Sequence, residues 1–151
     1  MDLRGALPLL LPKAIAWAEE EASRVATSGR ALTADEITLA GKVGVVKPDL
    51  IRIQSCDRLP MPQDPSLHAA AVQTGLLGSN MVGLTLGYSV FVRRGHEARR
   101  LLAHEFRHVF QYEQNGAIAG FFPVYLQQIV TVGYANAPLE VDARAHESAA
   151  S

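Results

Sequence analysis

The sequence predicts an α+β fold: a small antiparallel or mixed sheet packed on an amphipathic helix, with further helices around it. One reason is the alternation of apolar residues over 81–94, which is typical of a β-strand. Another is the helical spacing of apolar residues over 101–110. A third is the pair of apolar, proline-containing helical segments that follow. With 151 residues, 48% of them hydrophobic, the chain 1–151 is predicted to form a single domain with a buried core.

The N-terminal part, 1–80, is predicted to supply helices and one strand. Pro12 suits the first position of a helix over 13–28, and Gly29 follows as its stop. Thr33 and Glu36 have the spacing of a capping box, so a short helix is expected over 34–42.

The middle of the chain alternates between strand and loop patterns. The alternation over 50–54 predicts a strand, and a short helix is expected over 66–74 after a proline-rich loop. The segment 81–94 is predicted to be one strand. Gly83 and Gly87 fall on the same face of it, which indicates close approach by another backbone, such as a bound peptide, or, alternatively, a bulge or tight packing under a helix.

Three helices are predicted in the C-terminal part, 81–147, after that strand. The first runs over about 96–114 and stops at Asn115-Gly116. The second is an apolar helix that starts near Pro123 and ends by 133, and the third runs over 138–144.

The helix over 96–114 carries a metal-binding pattern. His104 and His108 are four residues apart, so they share one helix face, and Glu105 lies beside them. Two imidazoles at this spacing can hold one divalent metal ion, and the adjacent carboxylate can reach a water on that ion. This is the H-E-x-x-H pattern of zinc-dependent hydrolases, with Glu105 as the expected general base. The alternative is a pair of helix histidines in ordinary hydrogen bonds.

A catalytic zinc takes three protein ligands, so a third residue must join the two histidines. Glu140 is the expected ligand, because the first turn of a helix favours a carboxylate through the helix dipole. Its alternative role is an ion pair with Arg144, four residues later. Asp142 could be the ligand instead, or could accept a hydrogen bond from a ligand histidine. The remaining candidates are His146, Glu113 and Glu147.

Hydrolysis of an amide also needs a hydrogen-bond donor for the oxyanion that forms. Tyr134 lies shortly before Glu140, and Tyr112 lies one turn after His108, so both are candidate catalytic residues. His146 is a further candidate. Each could equally be a core or surface residue.

Residues from 81 to about 147 resemble a zincin of the gluzincin type. The chain is most similar to small, mostly bacterial domains of uncertain function with His-Glu-x-x-His-x-x-Gln and a late Glu-x-x-Ala. The resemblance implies a zincin-like fold with Zn²⁺ bound by His104, His108 and Glu140, and Glu105 as general base. Many gluzincins place an aspartate four residues after the ligand glutamate, where this chain has Arg144.

The leading hypothesis is a zinc metallopeptidase acting on a peptide or protein. The alternative is a non-catalytic zincin-like module that binds metal or a protein partner. A third possibility is an effector whose specificity comes from a partner. The net charge of −1 does not favour nucleic acid or an anionic membrane. Cys56 is the single cysteine, so a reducing, cytoplasmic setting is expected.

Overall fold

The computed structural model describes residues 2–151, which form six α-helices and a mixed sheet of four strands. The predicted α+β class is therefore confirmed. The helices are α1 (Leu3–Ser28), α2 (Ala34–Lys42), α3 (Pro65–Thr74), α4 (Arg99–Gln114), α5 (Ala117–Val132) and α6 (Pro138–Ala145). The strands are β1 (Arg30–Ala31), β2 (Arg52–Cys56), β3 (Gly83–Leu86) and β4 (Ser89–Arg93), and short 3₁₀ turns cover Pro48–Leu50 and His146–Ala150.

The strand order in the sheet is β1-β2-β4-β3. β2 and β4 run parallel, whereas the outer pairs, β1 with β2 and β3 with β4, are antiparallel. β3 therefore lies at one edge of the sheet. None of the described helices is both long enough and apolar enough to cross a membrane.

β4 is buried on both faces, and its alternating side chains enter two separate cores. Val90 and Val92 pack with Phe106 of α4 and with α2 on one face. Phe91 packs on the other face, against α1 and against Phe121 of α5. α4 is thereby fixed between the sheet and the C-terminal helices, which holds the orientation of its polar face.

The prediction of one strand over 81–94 is wrong, because the segment is a β-hairpin. Leu86 pairs with Ser89, and the turn between them contains Gly87 at φ +65°. Glycine populates this left-handed region without the steric penalty of a Cβ. Alternation continues across a two-residue turn, so the apolar pattern alone does not separate a hairpin from a long strand.

Two predicted helix starts are also wrong, both at prolines. α1 begins at Leu3 rather than 13, so Pro8 and Pro12 lie inside it, and α5 begins at Ala117 with Pro123 inside. Proline leaves a helix carbonyl without its usual donor. Pro8 and Pro12 are exposed, so water can satisfy the carbonyls that they leave unpaired.

The remaining elements differ little from expectation. The capping box of Thr33 and Glu36 and the helix after it are confirmed. β2 lies two residues later than predicted because the chain first makes a 3₁₀ turn. α4 starts at Arg99 rather than near 96, after Gly95 at φ +86°. Gly116, also left-handed at φ +79°, ends the motif helix as expected.

Candidate metal centre

Three residues predicted as metal ligands converge in the fold. The Nε2 atom of His104 lies 3.2 Å from Oε1 of Glu140, and the Nε2 atom of His108 lies 2.9 Å from Oε2. One ligand atom from each residue lies within 4.8 Å of the others, and all three residues are buried. The group could therefore hold a metal ion.

Helix geometry explains how α4 and α6 bring these groups together. The two histidines are one turn apart on α4, with ring centroids 4.9 Å apart. Pro138 occupies the first position of α6, and the backbone N–H of Glu140 donates to the carbonyl of Ala137. Ala137 and Ala143 are both fully buried. Their small side chains permit close packing, which brings the Glu140 carboxylate to the histidines.

The other ring nitrogen of each histidine already has an acceptor. Nδ1 of His104 donates to Oε2 of Glu147 at 2.9 Å, and Nδ1 of His108 donates to Oε1 of Gln111 at 2.7 Å. The Gln111 amide cannot be turned around, because its Nε2 donates to the Leu139 carbonyl and to Asp142. Both imidazoles therefore keep their neutral-form proton on Nδ1.

In their neutral form the two imidazoles would face Glu140 unfavourably, so the arrangement favours positive charge at this position. With the Nδ1 atoms donating, the Nε2 atoms of neutral His104 and His108 direct lone pairs at the oxygens of Glu140. Lone pairs facing a carboxylate at these distances repel one another. A metal ion between them, or an additional proton on each ring, converts the repulsion into attraction.

The protonation preferences are consistent with this account. Burial disfavours the charged imidazolium, but hydrogen bonding to Glu140 and the charge of Glu105 raise the pKa of His104 to about 9. The same effects, of burial and of the two glutamates, leave the pKa of His108 raised. Burial opposes ionisation of Glu140, yet hydrogen bonds from both histidines hold its pKa well below the usual range. Without a metal ion, protons on the imidazoles balance the charge of Glu140, and a bound metal ion would replace those protons.

Glu105, the candidate general base, is held by β3. The Thr85 hydroxyl lies 2.8 Å from Oε1 of Glu105 and 3.2 Å from its backbone carbonyl oxygen. Gly83 provides the space for this carboxylate, since a Cβ there would lie 3.0 Å from Oε2 of Glu105. Gly83 therefore packs tightly under helix α4, which is the alternative to close approach by another backbone.

Tyrosines surround the Glu140 carboxylate. Tyr134 lies beside Glu140, and burial together with the charge of Glu140 raises the pKa of its phenol well above the usual range. The Tyr125 hydroxyl donates to Oε2 of Glu140 at 2.7 Å. The Tyr112 hydroxyl instead donates to the backbone oxygen of Thr85 at 2.8 Å. This geometry argues against Tyr112 as a donor to substrate.

The other candidate ligands do not join the three residues. Asp142 accepts from Arg107 and Gln111, and so reaches His108 only through the amide. His146 contacts the backbone oxygen of Asp142 through Nδ1. Glu113 accepts from Tyr88 and from the backbone of residues 46 and 47. Arg144 bonds to the Ala135 carbonyl, not to Glu140.

Sequence reasoning missed the roles of Gln111, Tyr125 and Thr85. Gln111 lies three residues after His108, a spacing at which side chains on a helix meet, so the sequence held a usable signal. Tyr125 was expected only as part of an apolar helix, and Thr85 only as part of a strand. Their contacts depend on how α5 and β3 pack, for which the local sequence carries no signal.

The chain matches no protein-family model, no curated protein and no solved structure with which it was compared. The resemblance to gluzincins therefore stays a prediction that depends on the motif residues.

Proposed function

We propose that this chain is a zinc-dependent peptidase, with His104, His108 and Glu140 as ligands and Glu105 as general base. The observation that carries the proposal is the convergence of two buried imidazole Nε2 atoms, one from each motif histidine, on the single buried carboxylate of Glu140. Two imidazoles and one carboxylate are the ligand set of many catalytic zinc sites. Ligands on tetrahedral zinc lie about 3.4 Å apart, given bonds of about 2.1 Å. One ligand atom from each of the three residues lies within 4.8 Å of the others, so zinc binding would require the side chains to adjust toward this spacing.

Zinc, when bound, supplies a Lewis acid that polarises a substrate carbonyl and acidifies a coordinated water. Glu105 follows His104 directly, and we assign it to accept the proton of the attacking water and deliver it to the leaving amine. Thr85 donates to Oε1 of Glu105, which fixes the orientation of the carboxylate and leaves Oε2 for the proton.

Tyr134 is the donor that we assign to the oxyanion. Its ring is partly exposed beside Glu140, and burial raises the pKa of its phenol further above the usual range, so the hydroxyl keeps the proton that it would donate. Tyr125 is hydrogen-bonded to Glu140 and is assigned to hold that ligand in place.

The Glu105→Gln variant tests the proposal, because it keeps the size of the side chain and removes the base. We expect stoichiometric zinc in both the unaltered chain and the variant, and peptide hydrolysis by the unaltered chain alone. Glu20→Gln, an exposed change on α1, is the matched control and should leave both measurements unaltered. Equal hydrolysis by Glu105→Gln would exclude the assigned base.

A second candidate function is a non-catalytic module that keeps a metal ion for stability or for partner binding. The burial of the ligands favours it, since Glu140 is only 1% exposed. The same experiment separates the two functions: stoichiometric zinc without hydrolysis by the unaltered chain would favour the module.

A further inference from the structure

A pocket opens directly onto the candidate metal centre. Its wall includes Glu105, His108 and Glu140, together with Tyr134, and its volume is about 130 Å³. The rest of the wall, which we call the apolar pocket, comes from α1, α3, β3 and α5. Representative residues are Leu7, Leu10, Leu67, Ala71, Leu126 and Ile129.

The apolar pocket differs from the metal centre in charge. Among the described residues, the acidic side chains of the wall, Glu105 and Glu140, belong to the metal centre, and the apolar pocket itself contains no aspartate, glutamate, lysine or arginine. A charged substrate group placed there would lose its hydration without gaining a partner. An apolar group would lose unfavourable contact with water instead. The pocket therefore selects against charge.

The pocket volume limits the size of the group that it admits. Apolar cavities of about 150 Å³ bind a molecule the size of benzene. The volume of about 130 Å³ thus fits one branched aliphatic or aromatic side chain. Several wall residues, among them Leu7, Leu126 and Val130, are only partly buried, so the pocket has room that the chain's own side chains do not fill.

We propose that the substrate is a peptide with a side chain the size of leucine or phenylalanine beside the hydrolysed bond. This inference rests on the proposed peptidase function. The apolar pocket would bind that side chain while the metal centre acts on the neighbouring carbonyl. Because Glu105 and Glu140 line the same pocket, the bound side chain would lie next to the bond that is hydrolysed.

Binding to the zinc-loaded Glu105→Gln chain tests the inference without requiring turnover. The probes are peptides of one neutral sequence whose central residue is Leu, Phe, Ala, Asp or Lys. We expect the Leu and Phe peptides to bind at least about tenfold more tightly than the Ala peptide, and the charged peptides most weakly. Equal binding across the series, or no binding of any peptide, would overturn the inference.

Matched substitutions on α3 locate the binding site. Ala71 lines the pocket, whereas Ala69 on the same helix is exposed. Ala71→Leu should reduce the preference for Leu over Ala peptides about tenfold, and Ala69→Leu should not change it. Ala70→Leu, which also lines the pocket, serves if the first variant does not fold. An unchanged preference in a folded pocket variant would overturn the inference.

The outcomes separate this inference from the proposed function. If the unaltered chain hydrolyses no peptide while the Leu preference and the Ala71→Leu effect are present, the peptidase function fails and the pocket assignment stands. If peptides are hydrolysed without regard to the central residue, the peptidase function stands and the pocket assignment fails. Tight binding of a fatty acid without discrimination among peptides would also overturn the assignment.

Discussion

The carboxylates of Glu36 and Glu140 are both held by hydrogen bonds, but only Glu36 has an arginine beside it. Glu36, in the capping box of α2, accepts from both terminal nitrogens of Arg30 and from the backbone N–H of Thr33. Its charge is balanced within the chain. Glu140 has no lysine or arginine partner among residues 2–151, and its neighbours are two histidines and two tyrosines.

The difference separates a structural carboxylate from a ligand. Glu36 lies near the surface beside Arg30, and the pair needs nothing further. Glu140 is 1% exposed, and the desolvation cost of its charge requires a compensating cation. Protons on the histidines provide one, and a divalent metal ion provides a stronger one. The comparison predicts that substitutions around Glu140 should change the zinc affinity and that substitutions around Glu36 should leave it unchanged.

Removal of the ligand carboxylate should have the largest effect. Glu140→Gln takes away the anionic ligand and should weaken zinc binding by more than about 100-fold, beyond the range that loss of an outer hydrogen bond causes. Competition with a chromophoric chelator measures the affinity. Zinc affinity within a few-fold of the unaltered chain would show that Glu140 is not a ligand.

Loss of the amide that orients His108 should have the next largest effect. Gln111→Leu removes the acceptor for Nδ1 and should weaken zinc binding about 10- to 100-fold, because the ring loses its fixed tautomer. Gln114→Leu, an exposed change on the same helix, is the control and should leave the affinity unaltered. Equal affinities in the two variants would remove the assigned role of Gln111.

Removal of the Thr85 hydroxyl, which orients Glu105, should lower turnover without changing substrate or zinc binding. Thr85→Val should lower kcat about tenfold with little change in KM or in zinc content, because the lost hydrogen bond of about 1.4 kcal/mol acts on the orientation of Glu105. Thr85→Ser should restore most of kcat. A fall in kcat that serine does not restore would indicate a packing role for Thr85.

The smallest effect is expected from substitution of Glu36, whose charge is balanced by Arg30. Hydrogen bonding to Arg30 lowers the pKa of Glu36, so this group stabilises the fold above its unfolded pKa of about 4.3, and the stabilisation is lost as the pH falls. Glu36→Gln should cost at most about 1 kcal/mol at pH 7, because Arg30 is partly exposed.

Urea unfolding in the presence of a chelator measures this cost. The difference between Glu36→Gln and the unaltered chain should shrink from pH 7 toward pH 3, and zinc affinity at pH 7 should be the same in both. A cost that stays constant with pH would mean that the charge of Glu36 contributes nothing.

The sequence predicted those features that depend on residues close together in the chain, such as helix periodicity and helix capping. The spacing of His104 and His108 follows from helix periodicity, and Glu36 follows from the capping box. The place of Glu140 in the first turn of α6 follows from the proline at the helix start, and the helix dipole favours a carboxylate there. The roles of Thr85 and Tyr125 could not be predicted, since each contact joins elements distant in sequence. The predicted starts of α1 and α5 were wrong because both helices continue through prolines. Burial of the apolar faces of these helices outweighs the backbone hydrogen bonds that the prolines remove.

The central claim is that a metal ion lies between two imidazoles and one carboxylate. Anomalous diffraction at the zinc absorption edge, from crystals of the full chain grown with zinc, tests it most directly. The account predicts one peak within about 2.2 Å of Nε2 of His104, Nε2 of His108 and a carboxylate oxygen of Glu140. A peak elsewhere, or no peak while Glu140 remains bonded to both rings, would contradict it.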